Sequence, residues 1–267
     1  MFTIREYKRA ASLEEAYTLS QNRSNVVLGG MLWLKQQNRS VGVAIDLCDL
    51  GLDTIEEMEG SFSIGAMVTL RQLELDPKLN AYTHGMIAAS VASIVGVQFR
   101  NVATVGGSIF GRYGFSDVLT AFLGLGASVE LQGTGVMPLD DFIQMPHQRD
   151  LLVRIILPKG DLRAVYLSQR NTKTDFPVLT CALCSRNGKV SCAIGARPQR
   201  AMLALGADGF DADFTPQSAA AFGDFIAQNI STGTNLRAGA EYRIQLARVL
   251  SKRAALLLSA QGEKACK

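Results

Sequence analysis

The chain has 267 residues, of which 48% are hydrophobic and 19% are charged. A chain of this length and composition buries a sizeable core, as one large domain or two modest ones, and is not disordered as a whole. The net charge of +3, with no dense run of lysine or arginine, gives no support for nucleic-acid binding. No signal-peptide core and no run of about 18 apolar residues is present, so we expect a cytoplasmic protein without a membrane span.

The first part of the chain has the pattern of a parallel β-loop-α-β unit. It begins with a helix capped by Ser12, and the Glu15 side chain is expected to accept a hydrogen bond from the backbone N–H of Ser12. The elements that follow are a strand at Val26–Leu28, a glycine pair at Gly29 and Gly30, a helix beginning over Met31–Lys35 and a strand at Val43–Leu47.

The middle of the chain is mixed. Its predicted elements are a strand at Ser61–Ala66, a helix from Thr69 that Pro77 ends, a helix over His84–Val97, an irregular stretch over Gln98–Asp117, a helix over Val118–Leu125, and strands at Ser128–Leu131 and Leu151–Leu157. An irregular stretch of that length inside a domain is often functional.

The last part of the chain is predicted to be a separate domain, with a boundary near Pro158–Asp161. It contains strands, then helices: Ala164–Leu167, Val178–Cys184 and Val190–Gly195 alternate as antiparallel strands, Asn187-Gly188 is a hairpin turn, and Pro216–Gln228 and Glu241–Leu258 are helices.

Five cysteines in a chain of this length do not suggest a disulfide framework. Cys181 and Cys184 lie three residues apart in a predicted strand, so their side chains point to opposite faces and cannot hold a metal together. We expect buried structural thiols. With only His84 and His147 as histidines, we expect no metal site in this chain.

Two short glycine loops are the most informative motifs. Gly29 and Gly30 follow one apolar run, and Gly106 and Gly107 follow another about 75 residues later. Glycine allows backbone N–H groups to approach an anionic ligand closely. Either pair alone is more often an ordinary turn, but both pairs together with Asp117 predict a diphosphate held from two sides. Asp117 could also cap the helix that begins at Val118, and both roles are compatible.

The motifs from Val95 to Ala127, with Gly-Val-Gln-Phe-Arg-Asn-Val-Ala-Thr-Val-Gly-Gly-Ser-Ile inside them, resemble the flavoprotein subunit of the molybdenum hydroxylases. These are the FAD-binding medium subunits of xanthine, carbon monoxide and nicotinate dehydrogenases. Ile45–Leu47, Ile64–Leu70 and Tyr166–Pro177, which contains Arg170, are similar to further motifs of that family. The resemblance spans nearly the whole chain.

The resemblance implies an α+β fold with α/β lobes. A two-lobed FAD-binding domain, of the type seen in vanillyl-alcohol oxidase and molybdenum-hydroxylase flavoproteins, would cover 1–159, with lobes of about 1–53 and 54–159. A C-terminal domain with an antiparallel sheet and helices would cover 160–267 and close over the cofactor.

The resemblance also implies a set of FAD-binding residues. The diphosphate would lie on the first loop, the second loop would contact the flavin side and the linker, Phe110, Gly111 and Asp117 would lie near the adenosine and ribityl portions, and Leu152 near the isoalloxazine. The complete set is Val27, Leu28, Gly29, Gly30, Met31, Leu32, Trp33, Ala103, Thr104, Gly106, Gly107, Ser108, Phe110, Gly111, Asp117 and Leu152.

Several positions depart from the family pattern. Met31 and Leu32 stand where a threonine and a polar residue are usual, so backbone N–H groups must do more of the binding. Ser108 replaces a common asparagine, and Leu167 falls where some relatives carry a lysine near the flavin. Trp33 is expected in the core or an interface, with flavin stacking as the alternative.

Other residues have competing interpretations. Arg100 and Arg112 could be solvated, pair with acidic groups or contact a phosphate. No Rossmann G-x-G-x-x-G with its acidic residue and no hydrolytic constellation is present, so we expect no catalytic acid or base in this chain.

The implied function is that of an electron-transfer subunit. A molybdopterin-binding large subunit would oxidise a purine or related N-heterocycle, a small subunit would carry two [2Fe–2S] clusters, and FAD in this chain would pass electrons to NAD+ or another acceptor. The alternatives are a non-enzymatic assembly module with an empty cleft and a stand-alone flavin-dependent oxidoreductase.

Overall fold

The computed structural model describes residues 1–265 and contains three β-sheets. The first sheet is parallel, in the order β1-β3-β2. Its elements are β1 (Thr3–Arg9), α1 (Leu13–Ser20), β2 (Val26–Leu28) and β3 (Ser40–Asp46). The parallel pairing predicted for the two short strands is confirmed. Ser12 caps α1 as predicted, but the Glu15 carboxylate accepts from the N–H of Ala11 rather than from that of Ser12.

The second sheet is antiparallel, in the order β4-β5-β8-β6-β7. Its strands are β4 (Ile55–Glu57), β5 (Ser61–Gly65), β6 (Ser128–Leu131), β7 (Gly135–Pro138) and β8 (Leu152–Pro158). The helices of this region are α2 (Leu70–Leu75), α3 (Pro77–Tyr82), α4 (Met86–Ala92), α5 (Val97–Arg100), α6 (Val105–Phe110), α7 (Asp117–Gly124) and α8 (Leu139–Gln144). Their apolar side chains form the largest core cluster.

The third sheet is antiparallel, in the order β12-β11-β10-β9. Its strands are β9 (Leu162–Arg170), β10 (Pro177–Arg186), β11 (Lys189–Gly195) and β12 (Met202–Leu203), and the helices are α9 (Pro216–Asn229) and α10 (Ala240–Ala265). Asn187 and Gly188 both have positive φ, as the predicted hairpin turn requires. One face of this sheet packs on the helices and the other on the second sheet region.

Three predicted elements differ from the structure. No α-helix begins over Met31–Lys35, because Met31 has a φ of 56° and only a 3₁₀ turn follows at Leu34–Gln36. The helix predicted over His84–Val97 is confined to α4, since His84 and Val95 both have positive φ. The stretch predicted to be irregular over Gln98–Asp117 contains most of α5 and all of α6.

The cysteine prediction is confirmed for the pair on β10. Cys181 Sγ lies 4.0 Å from Cys192 Sγ on the helix-facing side, whereas Cys184 Sγ lies 3.6 Å from Met86 Sδ on the other face. Burial raises the pKa of the Cys184 thiol well above its usual value, as expected for an unreactive thiol. Across residues 1–265, no helix has the length and apolar character needed to span a membrane.

Candidate cofactor-binding site

A cavity of about 920 Å³ lies where the three sheet regions meet. This volume falls at the upper end of the range for ligand sites, about 300–1,000 Å³. All the residues predicted to bind FAD line it: Val27, Leu28, Gly29, Gly30, Met31, Leu32, Trp33, Ala103, Thr104, Gly106, Gly107, Ser108, Phe110, Gly111, Asp117 and Leu152. The sequence motifs therefore converge on a single cavity.

The first loop, Gly29–Trp33, presents unused hydrogen-bond donors at the end of β2. Within residues 1–265, the backbone N–H groups of this loop meet no protein acceptor. Met31 is left-handed, and Trp33 is right-handed with φ −90° and ψ −34°. A run of successive backbone N–H groups without protein partners can bind an anion. The loop has the donors that a diphosphate needs.

The glycines of the first loop are required by the second loop. A Cβ on Gly30 would lie 2.0 Å from the carbonyl oxygen of Val102, and a Cβ on Gly29 would lie 2.7 Å from Thr104 Oγ1. The two loops therefore touch each other. Absence of a side chain lets the first loop rest directly on the second, which fixes the position of its N–H groups.

The second loop, Ala103–Ser108, does not offer a set of unpaired N–H donors to match that of the first loop. The prediction that backbone amides hold the diphosphate from two sides is therefore wrong. The N–H of Val105 donates to Val68 O and that of Gly106 to Ala66 O, both at 2.8 Å. Thr104 caps α6, accepting from Gly107 N at 3.1 Å through its hydroxyl and from Ser108 N through its carbonyl. The second loop is a packed support for the first.

Asp117 lies in the cavity wall within a buried ionic network. Ser116, not Asp117, caps α7, so the capping prediction for Asp117 is wrong. The Asp117 carboxylate pairs with Arg170 and accepts a hydrogen bond of 2.5 Å from the Tyr166 hydroxyl. Burial raises the pKa of Asp117, and the Arg170 charge and the Tyr166 hydroxyl counter that rise. Burial and the Asp117 charge hold the pKa of Tyr166 well above its usual value.

Trp33 belongs to an aromatic cluster at the cavity wall, which agrees with the expectation that it packs in the core or an interface. Its ring centroid lies 5.7 Å from that of Phe176 in a stacked arrangement and 5.5 Å from that of Phe115. Tyr113 and Phe99 complete the cluster, each 6.2 Å from Trp33. The cluster joins the first loop to the segment between β9 and β10 and provides an apolar wall.

Three residues singled out in the sequence have other partners. Leu167, which falls where some relatives carry a lysine near the flavin, does not line the cavity but packs against the core under α9 and α10. Arg100 is buried and donates to Glu74 at 2.8 and 3.2 Å. Arg112 is buried, donates to the carbonyl of Met145 and stacks over the Phe142 ring at 4.0 Å.

Sequence reasoning missed several residues of the cavity wall. Tyr113 and Phe115 lie in the glycine-rich stretch, where two aromatics within three residues are a usable signal for an apolar wall. Arg149 also lines the cavity, and it donates to the carbonyls of Ser20 and Asn22. No local pattern marks Arg149, because its partners lie more than 120 residues away.

The fold matches that of chains from two solved oxidoreductases. It superposes on a chain of quinoline 2-oxidoreductase from Pseudomonas putida 86 with a TM-score of 0.84 and 21% identity, covering 96% of this chain and 97% of that one. Carbon monoxide dehydrogenase from Oligotropha carboxidovorans gives a TM-score of 0.84 and 22% identity, with coverage of 96% and 97%. At these identities the likeness shows the fold.

Sequence similarity defines the family. The model of the FAD-binding domain in molybdopterin dehydrogenase matches residues 2–160, and the chain belongs to this family. A xanthine dehydrogenase FAD-binding subunit of Escherichia coli O157:H7 is 26% identical over 282 residues, which cover 95% of each chain. FAD is thus the cofactor of residues 2–160, and the unpaired N–H groups of the first loop are donors of the kind that a diphosphate accepts.

Proposed function

We propose that this chain is the FAD-carrying electron-transfer subunit of a heteromeric molybdenum hydroxylase in the cytoplasm. A large subunit with a molybdopterin cofactor would oxidise a purine or related N-heterocycle, and a small subunit would carry two [2Fe–2S] clusters. FAD, when bound, supplies the chemistry that accepts single electrons from such clusters and delivers them to NAD+ or another acceptor. The family and the similarity to a xanthine dehydrogenase subunit support this assignment.

The observation that carries the proposal is the set of unpaired N–H groups at Gly29–Trp33, whose residues line a cavity of about 920 Å³. An assembly module with an empty cleft has no need for a run of unpaired N–H groups held by close loop packing. We therefore infer that these N–H groups bind the FAD diphosphate. The aromatic cluster around Trp33 would exclude water from one side of the cofactor.

The protein contributes binding and environment rather than acid–base catalysis. The carboxylates that line the cavity are Asp117, Asp150 and Asp175. Asp117 is held by Arg170, and Asp150 accepts from the N–H groups of Gly133, Thr134 and Leu151. Asp175 accepts from Arg237 and from the N–H of its neighbour. Because each carboxylate already accepts hydrogen bonds from fixed protein donors, we assign these three residues no proton-transfer role.

We further propose the domain division predicted above, with the FAD-binding domain ending near Pro158–Asp161. The family match ending at residue 160 supports this boundary. The core of the second sheet region includes Ala164 and Tyr166 of β9, so the C-terminal domain would pack firmly on the FAD-binding domain.

The chain contains a single tryptophan, and this residue lines the cavity, which gives a direct assay. Titration of the apoprotein with FAD should quench the Trp33 emission and saturate at one FAD per chain. Co-expression with molybdopterin-binding and [2Fe–2S] subunits should then yield a complex in which the heterocycle reduces the flavin only when the [2Fe–2S] subunit is present. No quenching, and no flavin in the purified chain, would favour the assembly module. NADH–dye reduction by the chain alone would favour a stand-alone oxidoreductase.

A further inference from the structure

A groove of about 310 Å³ runs beside β9, which is the edge strand of the third sheet. One wall is the start of α4, with Met86 and Ala89, and the other is the end of α10, with Leu257 and Ala260. The floor is β9 itself, between Ala164 and Leu167. The groove is separate from the cofactor cavity, and the proposed function makes no use of it.

The first part of the β9 edge is covered by side chains. His84 Nε2 lies 2.7 Å from the carbonyl oxygen of Leu162. The Gln261 amide accepts from Ala164 N at 3.1 Å and donates to Ala164 O at 3.0 Å. Successive residues of an antiparallel strand direct their backbone groups to opposite edges, so alternate residues from 162 onward face away from β10.

The next residue that faces the open edge is Tyr166. In the part of the chain that the structure describes, neither its backbone N–H nor its C=O has a hydrogen-bond partner at this edge. Tyr166 as a whole is only 8% exposed. A shielded backbone pair without partners is uncommon, and an open strand edge is a template for another strand.

The chemistry of the groove defines its occupant. A donor and an acceptor on one residue of a strand edge match the backbone of an extended polypeptide. The walls are apolar, no Lys, Arg, Asp or Glu is among the described residues that line the groove, and the Nε2 of His84 is engaged. A segment carrying charge there would be buried without a partner charge, so the groove selects an uncharged, apolar segment.

We propose that this groove binds an extended apolar segment of a partner subunit, which adds a strand beside β9 at Tyr166. Alternate side chains of the segment would contact the α4 wall and the α10 wall. The inference rests on the proposed function, because it takes the partner from the assembled oxidoreductase. It places the partner on the backbone of the residue whose hydroxyl holds Asp117 in the cofactor cavity.

Hydrogen–deuterium exchange of the isolated chain and of the co-purified complex tests the proposal. We expect the Tyr166 amide to exchange about tenfold or more slowly in the complex, since an added strand would accept a hydrogen bond from that N–H. A complex that assembles with unchanged Tyr166 exchange overturns the groove assignment and leaves the proposed function standing. Failure of the wild-type chain to co-purify with the molybdopterin-binding and [2Fe–2S] subunits overturns both.

Two adjacent leucines of α10 provide matched variants. Leu257 lines the groove and is 49% exposed, whereas Leu256 is 37% exposed and does not line it. Leu257→Arg should weaken assembly about tenfold or more, while Leu256→Arg stays within about threefold of the wild type. Both should retain FAD quenching of Trp33, which verifies folding. Equal assembly of the two variants, or self-association of the isolated chain that only Leu257→Arg abolishes, contradicts the proposal.

Discussion

Substitution of Gly30 tests whether FAD affinity depends on contact between the two loops. The Cβ of Gly30→Ala would lie 2.0 Å from Val102 O and 2.7 Å from Val102 C, and real Cβ contacts are essentially never below 3.0 Å. Since the obstacle is backbone, the first loop must move by about 1 Å or more, a form of overpacking that costs about 1–3 kcal/mol of stability.

That displacement should reduce FAD binding strongly. A shift of about 1 Å exceeds the tolerance of an N–H···O hydrogen bond. Hydrogen bonds to charged groups contribute about 1.5–3 kcal/mol each, so loss of two of them removes about 3–6 kcal/mol. The dissociation constant should therefore rise about 100-fold or more. Titration of the apoprotein with FAD, followed by Trp33 emission, measures this directly.

Gly65→Ala is a matched control. Its Cβ would lie 2.1 Å from Leu52 O, also a backbone contact, but Gly65 does not line the cavity. It should lower the free energy of unfolding by a similar amount while leaving FAD affinity within about threefold of the wild type. The reasoning is refuted if Gly30→Ala binds FAD as tightly as the wild type, or if both variants lose affinity equally.

Three further outcomes are expected. Gly107→Ala should preserve or raise thermal stability, because alanine favours a helix by about 1 kcal/mol and its Cβ meets only Thr104 Oγ1 at 3.2 Å. The same substitution should weaken FAD binding, because we expect the cofactor to lie against this exposed glycine. An unchanged dissociation constant for FAD would contradict that contact. Asp117→Asn should lower the free energy of unfolding, measured in denaturant, by about 3–5 kcal/mol, because it leaves buried Arg170 without its counter-charge. Adding Arg170→Met to this variant should recover part of the lost stability. No recovery would argue against the ion pair as the cause. Hydrogen bonds donated by an arginine side chain and by a backbone N–H lower the pKa of Asp175 in the folded protein. The stabilisation that Asp175 gives the folded state is therefore present above its unfolded pKa and is lost as the pH falls through the lower, folded pKa. An acid titration followed by tryptophan emission should show this step, and Asp175→Asn should abolish it.

Much of the C-terminal part of the fold was predictable because its elements carry strong patterns. The alternation in Val178–Cys184 and the Asn187-Gly188 turn led directly to the β10–β11 hairpin. β1 was not predicted, because most of its residues are exposed and its sequence, Thr3–Arg9, is rich in charge. It joins the sheet through backbone pairing with β3, which leaves little trace in hydrophobic periodicity.

The residues predicted to bind FAD all line one cavity, but the sequence did not predict which loop has unpaired N–H groups and which is a packed support. Glycine pairs signal close approach, and both loops do approach closely. The sequence cannot say whether the approaching group is a ligand or another part of the protein. At Gly106 it is the protein, since an added Cβ would lie 2.6 Å from Ala66 O. The helix predicted at Met31 failed for a related reason, because no residue there signals a left-handed conformation.

The departures from the family pattern at Met31 and Leu32 are compatible with FAD binding for a structural reason. The donors of the first loop are main-chain N–H groups, so they do not depend on a hydroxyl at position 31. They depend on the backbone path, which Gly30 fixes by resting on Val102. A methionine in the left-handed region carries strain, and such strain persists where the surrounding packing over-determines the conformation. The diphosphate binding that we propose would therefore depend on the contact between two loops rather than on the side chains that line the cavity.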